Sequence, residues 1–328
     1  MLRWGILSGA KIARDHVIPA ILKAEGCVLE GIASRDAARA GELARHFGAP
    51  RSFGSYEALL ESPEIDAVYV PLPTAHHVEW AVRAADAGKH VLVEKPLALR
   101  ASDIARVIEA RDRAGVQVAE AFMVRYHPQW ATVRDWISVG RIGRLRHVQG
   151  AFSYFNDDPA NMRNQIDLGG GALPDIGVYP VVATRLVTGA EPASARARIE
   201  RDARFGTDIF AECEADFGAF RLSFYVATQM AARQTMVFHG TDGFIEVDAP
   251  FNAGLYAQAA VHLHDRSHGT TETVRFGGVD QYRLQAEAFA RAVAGLGERL
   301  FALEESVLNQ RVIDAFYRSA EASAPVPV

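Results

Sequence analysis

The 328-residue chain reads as two folds in series, a doubly wound α/β domain and then an α+β domain with a large, open, mainly antiparallel sheet and flanking helices. Three observations predict this. Up to about residue 122, short apolar runs alternate with stretches of helical period, the pattern of a parallel sheet covered on both faces. Beyond Phe122 the runs alternate in polarity and are joined by turns such as Phe217-Gly218 and Asp242-Gly243, as in hairpin-linked strands. The length also exceeds that of a usual single core, which favours two domains, 1–122 and 123–328.

In the first domain Leu2–Leu7 reads as a strand and Lys11–Leu22 as a helix kinked at Pro19. Val28–Ala33 is the next strand, and Asp36–Phe47 a helix ended by Gly48 and Pro50. Asp66–Val70 is a strand, Thr74–Ala87 a helix stopped by Gly88, and Val91–Val93 a strand. Ser102 or Asp103 caps a helix to Ala114, and Val116–Ala121 closes the sheet. Right-handed crossovers between such strands give a doubly wound Rossmann sheet. In the second domain His127–Val139 and Ala172–Val187 read as helices on either side of a long alternating strand, Arg144–Phe155. Strands follow at Ala195–Ile199, Ile209–Phe217, Phe220–Ala227, Thr235–His239 and Phe244–Val247, then helices at Gln281–Ala294 and Glu304–Ala322. The tail Ala324–Val328 is either loose or docked.

Composition excludes several function classes. With 49% apolar and 23% charged residues the chain is ordinary for a globular protein. A net charge of −5 and the lack of any basic run disfavour nucleic acid and anionic membranes as partners. No apolar stretch approaches the ~20 residues of a membrane span. Lys11, Arg14 and Asp15 interrupt the first apolar run before a signal sequence would be complete, so a cytoplasmic location is expected. Cys27 and Cys213 form no CxxC pair or ligand cluster, which predicts free thiols and no metal site. Lys11, Lys23, Lys89 and Lys95 are the only lysines among 35 basic residues. A codon bias towards arginine accounts for that excess, yet a retained lysine suggests a task that needs a compact or titratable ammonium.

In Gly5-Ile6-Leu7-Ser8-Gly9-Ala10-Lys11-Ile12-Ala13 a buried strand runs straight into a helix. The dinucleotide fingerprint GxGxxG sets small residues where backbone meets a pyrophosphate and where helix packs on strand. Here Ser8, Ala10 and Ala13 stand at its glycine places. A plain tight turn needs the same small residues; the strand–turn–helix context favours a nucleotide cradle from Ser8 to Ile12. After the second strand come Ser34-Arg35-Asp36. A hydroxyl and a guanidinium there suit the 2′-phosphate of NADP. Asp36 keeps NAD as a second candidate, and Ser34 would equally cap the next helix.

Two further strands run into proline-marked turns, Pro71-Leu72-Pro73-Thr74 and Glu94-Lys95-Pro96. Ligands of open α/β sheets bind at the carboxyl ends of strands. Pro71, Leu72, Pro73 and Glu94 are therefore cofactor candidates, Lys95 is functional, and Lys95–Pro96 is a candidate cis bond. His76 is a cofactor-side contact, and His76-His77 is not a metal pair. Further on, Gly169-Gly170-Gly171 lets backbone approach something bulky, and Asp175 and Tyr179 stand four residues apart on one helix face. A lysine, a tyrosine and an aspartate are the parts needed to move a proton off a hydroxyl while hydride leaves its carbon. Tyrosine, with a pKa of about 10, needs such an ammonium to ionise near neutrality.

The Trp4-to-Ala13 loop, Glu94-Lys95-Pro96, Arg125-Tyr126-His127-Pro128 and the Gly169–Tyr179 block together resemble the glucose-fructose oxidoreductase/inositol dehydrogenase (Gfo/Idh/MocA) family, over essentially the whole chain. Tyrosine at 179 resembles the branch holding NADP-dependent D-xylose dehydrogenases and dimeric dihydrodiol dehydrogenases; inositol dehydrogenases have histidine there. The resemblance implies a C-terminal sheet that packs on another subunit in a homodimer or homotetramer, and a sugar or polyol substrate. It implies that Tyr179 transfers the proton, that Lys95 assists it, and that Asp175 holds the substrate. Arg163 would touch the nicotinamide carboxamide or a sugar hydroxyl. Tyr154 and Asp158 would offer donors and acceptors to a polyol, and Tyr282 resembles a family position near the substrate. A surface-loop reading fits these last residues equally well. Ser8 and Ala10 depart from the fingerprint glycines, and Pro174 suits the first turn of a helix. The expected activity is NADP(H)-dependent dehydrogenation of a pyranose such as D-xylose or D-glucose. Alternatives are a trans-dihydrodiol dehydrogenase, a keto-sugar reductase, and a non-catalytic sugar- or nucleotide-sensing regulator.

Overall fold

Apolar strands buried on both faces build the N-terminal sheet. The computed structural model describes residues 1–328 in two units, 1–126 with 280–307 and 127–279 with 308–328. The first unit runs β1 (Leu2–Leu7), α1 (Ile18–Lys23), β2 (Cys27–Ala33), α2 (Ala37–Phe47), β3 (Arg51–Phe53), α3 (Tyr56–Leu60), β4 (Ala67–Val70), α4 (His77–Asp86), β5 (His90–Val93), α5 (Ile104–Ala114) and β6 (Val118–Glu120). Every strand pairing is parallel, in the order β3-β2-β1-β4-β5-β6. The strand order therefore reverses between β1 and β4, the switch point at which such sheets bind ligands. Val68, Val70, Val91 and Val93 are buried in one cluster with Leu59, Ala81, Ala84 and Val107 of the helices. Sequence patterning missed β3 because none of its three residues is fully buried, so it carries no apolar run.

The second unit contains α6 (Pro128–Ser138), β7 (Leu145–Phe155), α7 (Val178–Thr188), β8 (Ser194–Arg201), β9 (Asp208–Asp216), β10 (Arg221–Ala227), β11 (Gln229–Gly240), β12 (Gly243–Val247), β13 (Ala259–Asp265) and β14 (Thr271–Phe276). Then α8 (Gln281–Val293) belongs to the first unit, α9 (Leu303–Ala322) begins in the first and ends in the second, and β15 (Val326–Pro327) closes the chain. The nine strands lie in the order β14-β13-β12-β11-β7-β10-β9-β8-β15. All pairings are antiparallel except β7 with β10. One sheet face carries the core: Phe224 meets Phe316 of α9 and Trp130 of α6 meets Phe238, edge to face. The other face carries Arg196, Arg198, Glu212, Glu214 and Arg221, all exposed. That alternation is the one-sided burial expected of an antiparallel sheet. The tail is docked, with Val326 paired to Ala195 at the sheet edge.

The division differs from the expected 1–122 and 123–328 in two respects: the boundary falls after Tyr126, and residues 280–307 return to the first unit. The cause of the return is the apolar face of α8. Phe289 lies against Trp4 with ring centroids 5.1 Å apart, and Cys27 Sγ donates to the Ala286 carbonyl at 3.5 Å. No local pattern can show that a late helix finds its apolar partner in the first strand. No helix is long and apolar enough to cross a membrane.

Candidate active site

In the first unit the candidate residues gather at the carboxyl ends of the strands. Ser8 follows β1 with a φ of 104°, a region that favours glycine, and its Oγ accepts from Ala10 N–H at 3.1 Å. Gly9 is packed so tightly on α2 that a Cβ there would lie 2.4 Å from Leu43 Cδ1. The helix then opens at Lys11, passes through a π turn at Ala13–Val17, and continues as α1. Ala13, at the third fingerprint place, is fully buried. The first N–H groups of this helix have no intrahelical acceptor, so Ser8 to Ile12 form a cradle that fits a pyrophosphate. Lys11 itself points outward and pairs with Asp15 one turn on.

At the tip of β2 the capping role falls to Asp36. Its Oδ1 accepts from Ala38 N–H and Arg39 N–H, while Ser34 Oγ accepts from Asp36 N–H at 3.2 Å. Arg35 is exposed. A residue that the sequence reading missed joins it: Arg39 Nε lies 3.6 Å from the point where a Gly9 Cβ would stand. Its place on the charged face of α2 looks in sequence like any solvated position.

The Lys95–Pro96 bond is cis. Side chains from several elements hold the turn around it. Tyr69 of β4 donates to Glu94 Oε1 at 2.5 Å, and Glu94 Oε2 accepts from Lys95 N–H at 3.1 Å. Glu120, at the end of β6, accepts from Leu97 N–H at 2.8 Å. His77 is buried with Nδ1 2.7 Å from the Pro96 carbonyl and Nε2 2.7 Å from the Leu72 carbonyl. Carbonyls only accept, so a neutral ring satisfies one of these contacts and the imidazolium both. His76, by contrast, is exposed. Pro71 and Leu72 are buried at the end of β4, with Pro73 partly exposed. Tyr282 also belongs to this unit. It stacks on His16 at 5.1 Å and feels the charge of Glu94, and its hydroxyl is pushed up by burial.

In the second unit Asp175 lies in a π turn, Leu173–Gly177, that leads directly into α7 and Tyr179. Such turns recur at functional sites. Tyr154 OH donates to Asp175 Oδ2 at 2.6 Å, and Arg163 Nε donates to the same oxygen at 2.8 Å. Burial and then the Asp175 charge push the Tyr154 hydroxyl far up, while Asp175 holds the Arg163 guanidinium above its ordinary value. The Tyr179 ring is buried against Phe152 and Phe251, at centroid distances of 5.7 and 5.4 Å. Asp158 does not join this cluster. It is exposed, and its Oδ1 accepts from Ala160 N–H within its own loop.

The glycine block has a specific anchor. Gly171 has a φ of 138°, and a Cβ there would lie 2.2 Å from Asp208 Oδ1. Asp208, buried on β9, accepts from Leu173 N–H at 2.7 Å and from Tyr317 OH at 2.7 Å. Its carboxyl is pushed up by burial. Nothing in the local sequence marks Asp208, because it starts a strand of ordinary alternation.

A Rossmann unit with this first turn, followed by a unit with an Asp–Tyr helix, defines a nucleotide-dependent oxidoreductase. The chain belongs to the GFO/IDH/MocA family. Residues 2–122 match its "Oxidoreductase family, NAD-binding Rossmann fold" domain and residues 130–246 its C-terminal domain. The chain is 43% identical to an uncharacterized oxidoreductase, ORF334, of Rhizobium meliloti, over 98% of this chain and 97% of that one. It is 38% identical to D-xylose 1-dehydrogenase (NADP(+)) 2 of Haloferax volcanii, over 99% of each. Among solved structures, the 3-ketoreductase KijD10 of Actinomadura kijaniata, in complex with NADP and TDP-benzene, superposes with a TM-score of 0.90 at 31% identity, over 97% of each chain.

Proposed function

We propose that the protein is an NADP(H)-dependent dehydrogenase that moves a hydride between nicotinamide and a hydroxyl-bearing carbon of a pyranose such as D-xylose or D-glucose. The observation that carries this reading is the helix start at 173–179, where a buried tyrosine follows an aspartate already tied to Arg163 and Tyr154. The likeness to a D-xylose 1-dehydrogenase supports the substrate class. When bound, the nicotinamide supplies the hydride chemistry. Tyr179 takes the hydroxyl proton in oxidation and returns it in reduction, and the Lys95 ammonium eases ionisation of the phenol. Asp175 accepts from a neighbouring sugar hydroxyl, held in orientation by Arg163 and Tyr154. Ser8 to Ile12 cradle the pyrophosphate, and Ser34, Arg35 and Arg39 take the 2′-phosphate, which favours NADP over NAD.

A keto-sugar reductase is the second reading, favoured by the likeness to a ketoreductase. In either case the exposed face of the nine-stranded sheet is the surface for a homodimer or homotetramer. Two buried free thiols suit a reducing compartment such as the cytoplasm.

Incubation with NADP and a panel of sugars, followed at the nicotinamide absorbance band, tests the reading. Reduction of NADP by a free pyranose supports it. Activity confined to NADPH and nucleotide-linked ketosugars selects the reductase, and cofactor binding without turnover selects a sensor. Tyr179→Phe should lower turnover by about 10²- to 10⁴-fold with NADPH affinity intact; equal activity removes Tyr179 from the mechanism.

A further inference from the structure

One buried carboxyl at the lysine turn has no part in the reaction as described. Glu120 ends β6, in register with Val93 of β5, and is only 3% exposed. It accepts from Leu97 N–H and hydrogen-bonds the Ser306 hydroxyl near the start of α9. The charged groups that face it are Glu94 and Lys95. His77 of α4 reaches the same turn through the Pro96 carbonyl, and Tyr69 of β4 through Glu94.

An amide would accept the Leu97 N–H equally well, without the desolvation that a buried carboxylate incurs. A carboxyl in this place therefore points to a role for its charge. We propose that Glu120 is a positioning residue for Lys95: it fixes the Leu97 end of the turn, and its protonation state sets how much of the lysine's positive field acts on the reacting hydroxyl. The proposal rests on the reading of Lys95 as the assisting cation. Burial raises the Glu120 carboxyl to about 7, with Glu94 pushing it further up and Lys95 pulling it down. Below that pH Glu120 is neutral and leaves the field of the ammonium unchanged; above it, a buried anion offsets part of that field.

Infrared difference spectroscopy of the full chain tests the coupling without turnover. The wild type should show a carboxylic C=O band that titrates near pH 7. The band should be missing in Glu120→Gln and should move to higher pH in Lys95→Met, which lacks the cation that holds it down. An unmoved titration in Lys95→Met overturns the proposal. In the pH profile of sugar oxidation, Glu120→Gln should shift the inflection for loss of the phenol proton to lower pH, because a negative charge that offsets the Lys95 field is removed. Glu120→Asp should restore the wild-type position. A Gln variant with the wild-type profile also overturns the proposal. Coupling in the infrared with no turnover on any sugar would instead refute the sugar reading and leave the Glu120–Lys95 link standing. Should Glu120→Gln not fold, the Lys95→Met spectrum decides alone.

Discussion

Arg163 and Asp175 form an ion pair at 2.8 Å, through the same carboxylate oxygen that accepts the Tyr154 hydroxyl. Two donors on one oxygen fix the carboxylate plane before any substrate arrives, and preorganisation of this kind lowers the cost of binding. Arg163→Met removes a charge-assisted hydrogen bond of about 1.5–3 kcal/mol, and kcat/KM for the sugar should fall by roughly 10- to 100-fold. Steady-state kinetics with NADP saturating would check this, and a fall of less than twofold would remove the pair from substrate binding.

The arginines beside the β2 tip predict cofactor choice. Arg35→Ala with Arg39→Ala should weaken NADP binding by about 10-fold or more per guanidinium, if each makes one charge-assisted contact to the 2′-phosphate, and should leave NAD nearly unchanged. Fluorescence titration of NADPH and NADH gives the ratio. A ratio that does not move would mean that the 2′-phosphate is held elsewhere.

Gly171 and Asp208 predict a stability effect at the entry to α7. Gly171→Ala forces a Cβ into a backbone region that side chains rarely adopt, and against Asp208 Oδ1. The strained backbone alone costs of order 1–3 kcal/mol, before any clash. Thermal unfolding should show a Tm lowered by several degrees. A wild-type Tm would show that the 169–173 segment relaxes freely.

Glu120 also predicts how stability changes with pH. Its carboxyl is raised from 4.5 to about 7 in the folded protein. A raised folded value means that its contribution is fully present below pH 4.5 and is lost as the pH climbs through 7. That loss is roughly 3 kcal/mol at most. Glu120→Gln lacks it, so the Tm of the variant relative to wild type should rise steadily over this range. A difference that stays flat with pH would show that Glu120 does not titrate there.

The two sheets were legible because each imposes a pattern on its strands. Val68–Val70 and Val91–Val93 are continuous apolar runs since both faces of a parallel strand are covered, whereas Arg221–Ala227 alternates since one face is open. β13 and β14 escaped notice as separate strands. Polar His262, His264, Thr271 and Thr273 interrupt their pattern, and these residues hydrogen-bond to one another across the strand pair. The division of the chain was less legible, since α8 is placed by Trp4 and Cys27, which lie at the far end of the sequence.

Among candidate site residues, Lys95, Asp175 and Tyr179 stood out because glycines, prolines and turn positions flank them. Glu120, His77 and Asp208 did not. Each sits where an apolar residue would fit the local pattern, and its partner is a backbone group from a distant segment. Asp158, another candidate from its loop, lies exposed, and its Oδ1 accepts from Ala160 N–H within that loop.

From sequence alone came the two kinds of sheet, and the candidates for a nucleotide cradle after β1 and for a proton-transferring site, all of which depend on neighbours a few positions away. Only the folded chain decided that Asp36 rather than Ser34 caps α2, that Arg39 reaches the Gly9 loop, and that Asp175 shares one oxygen between Arg163 and Tyr154. Those outcomes depend on which distant groups a buried or half-buried polar atom meets, and burial makes an unmet polar group too costly for the fold to leave the choice open.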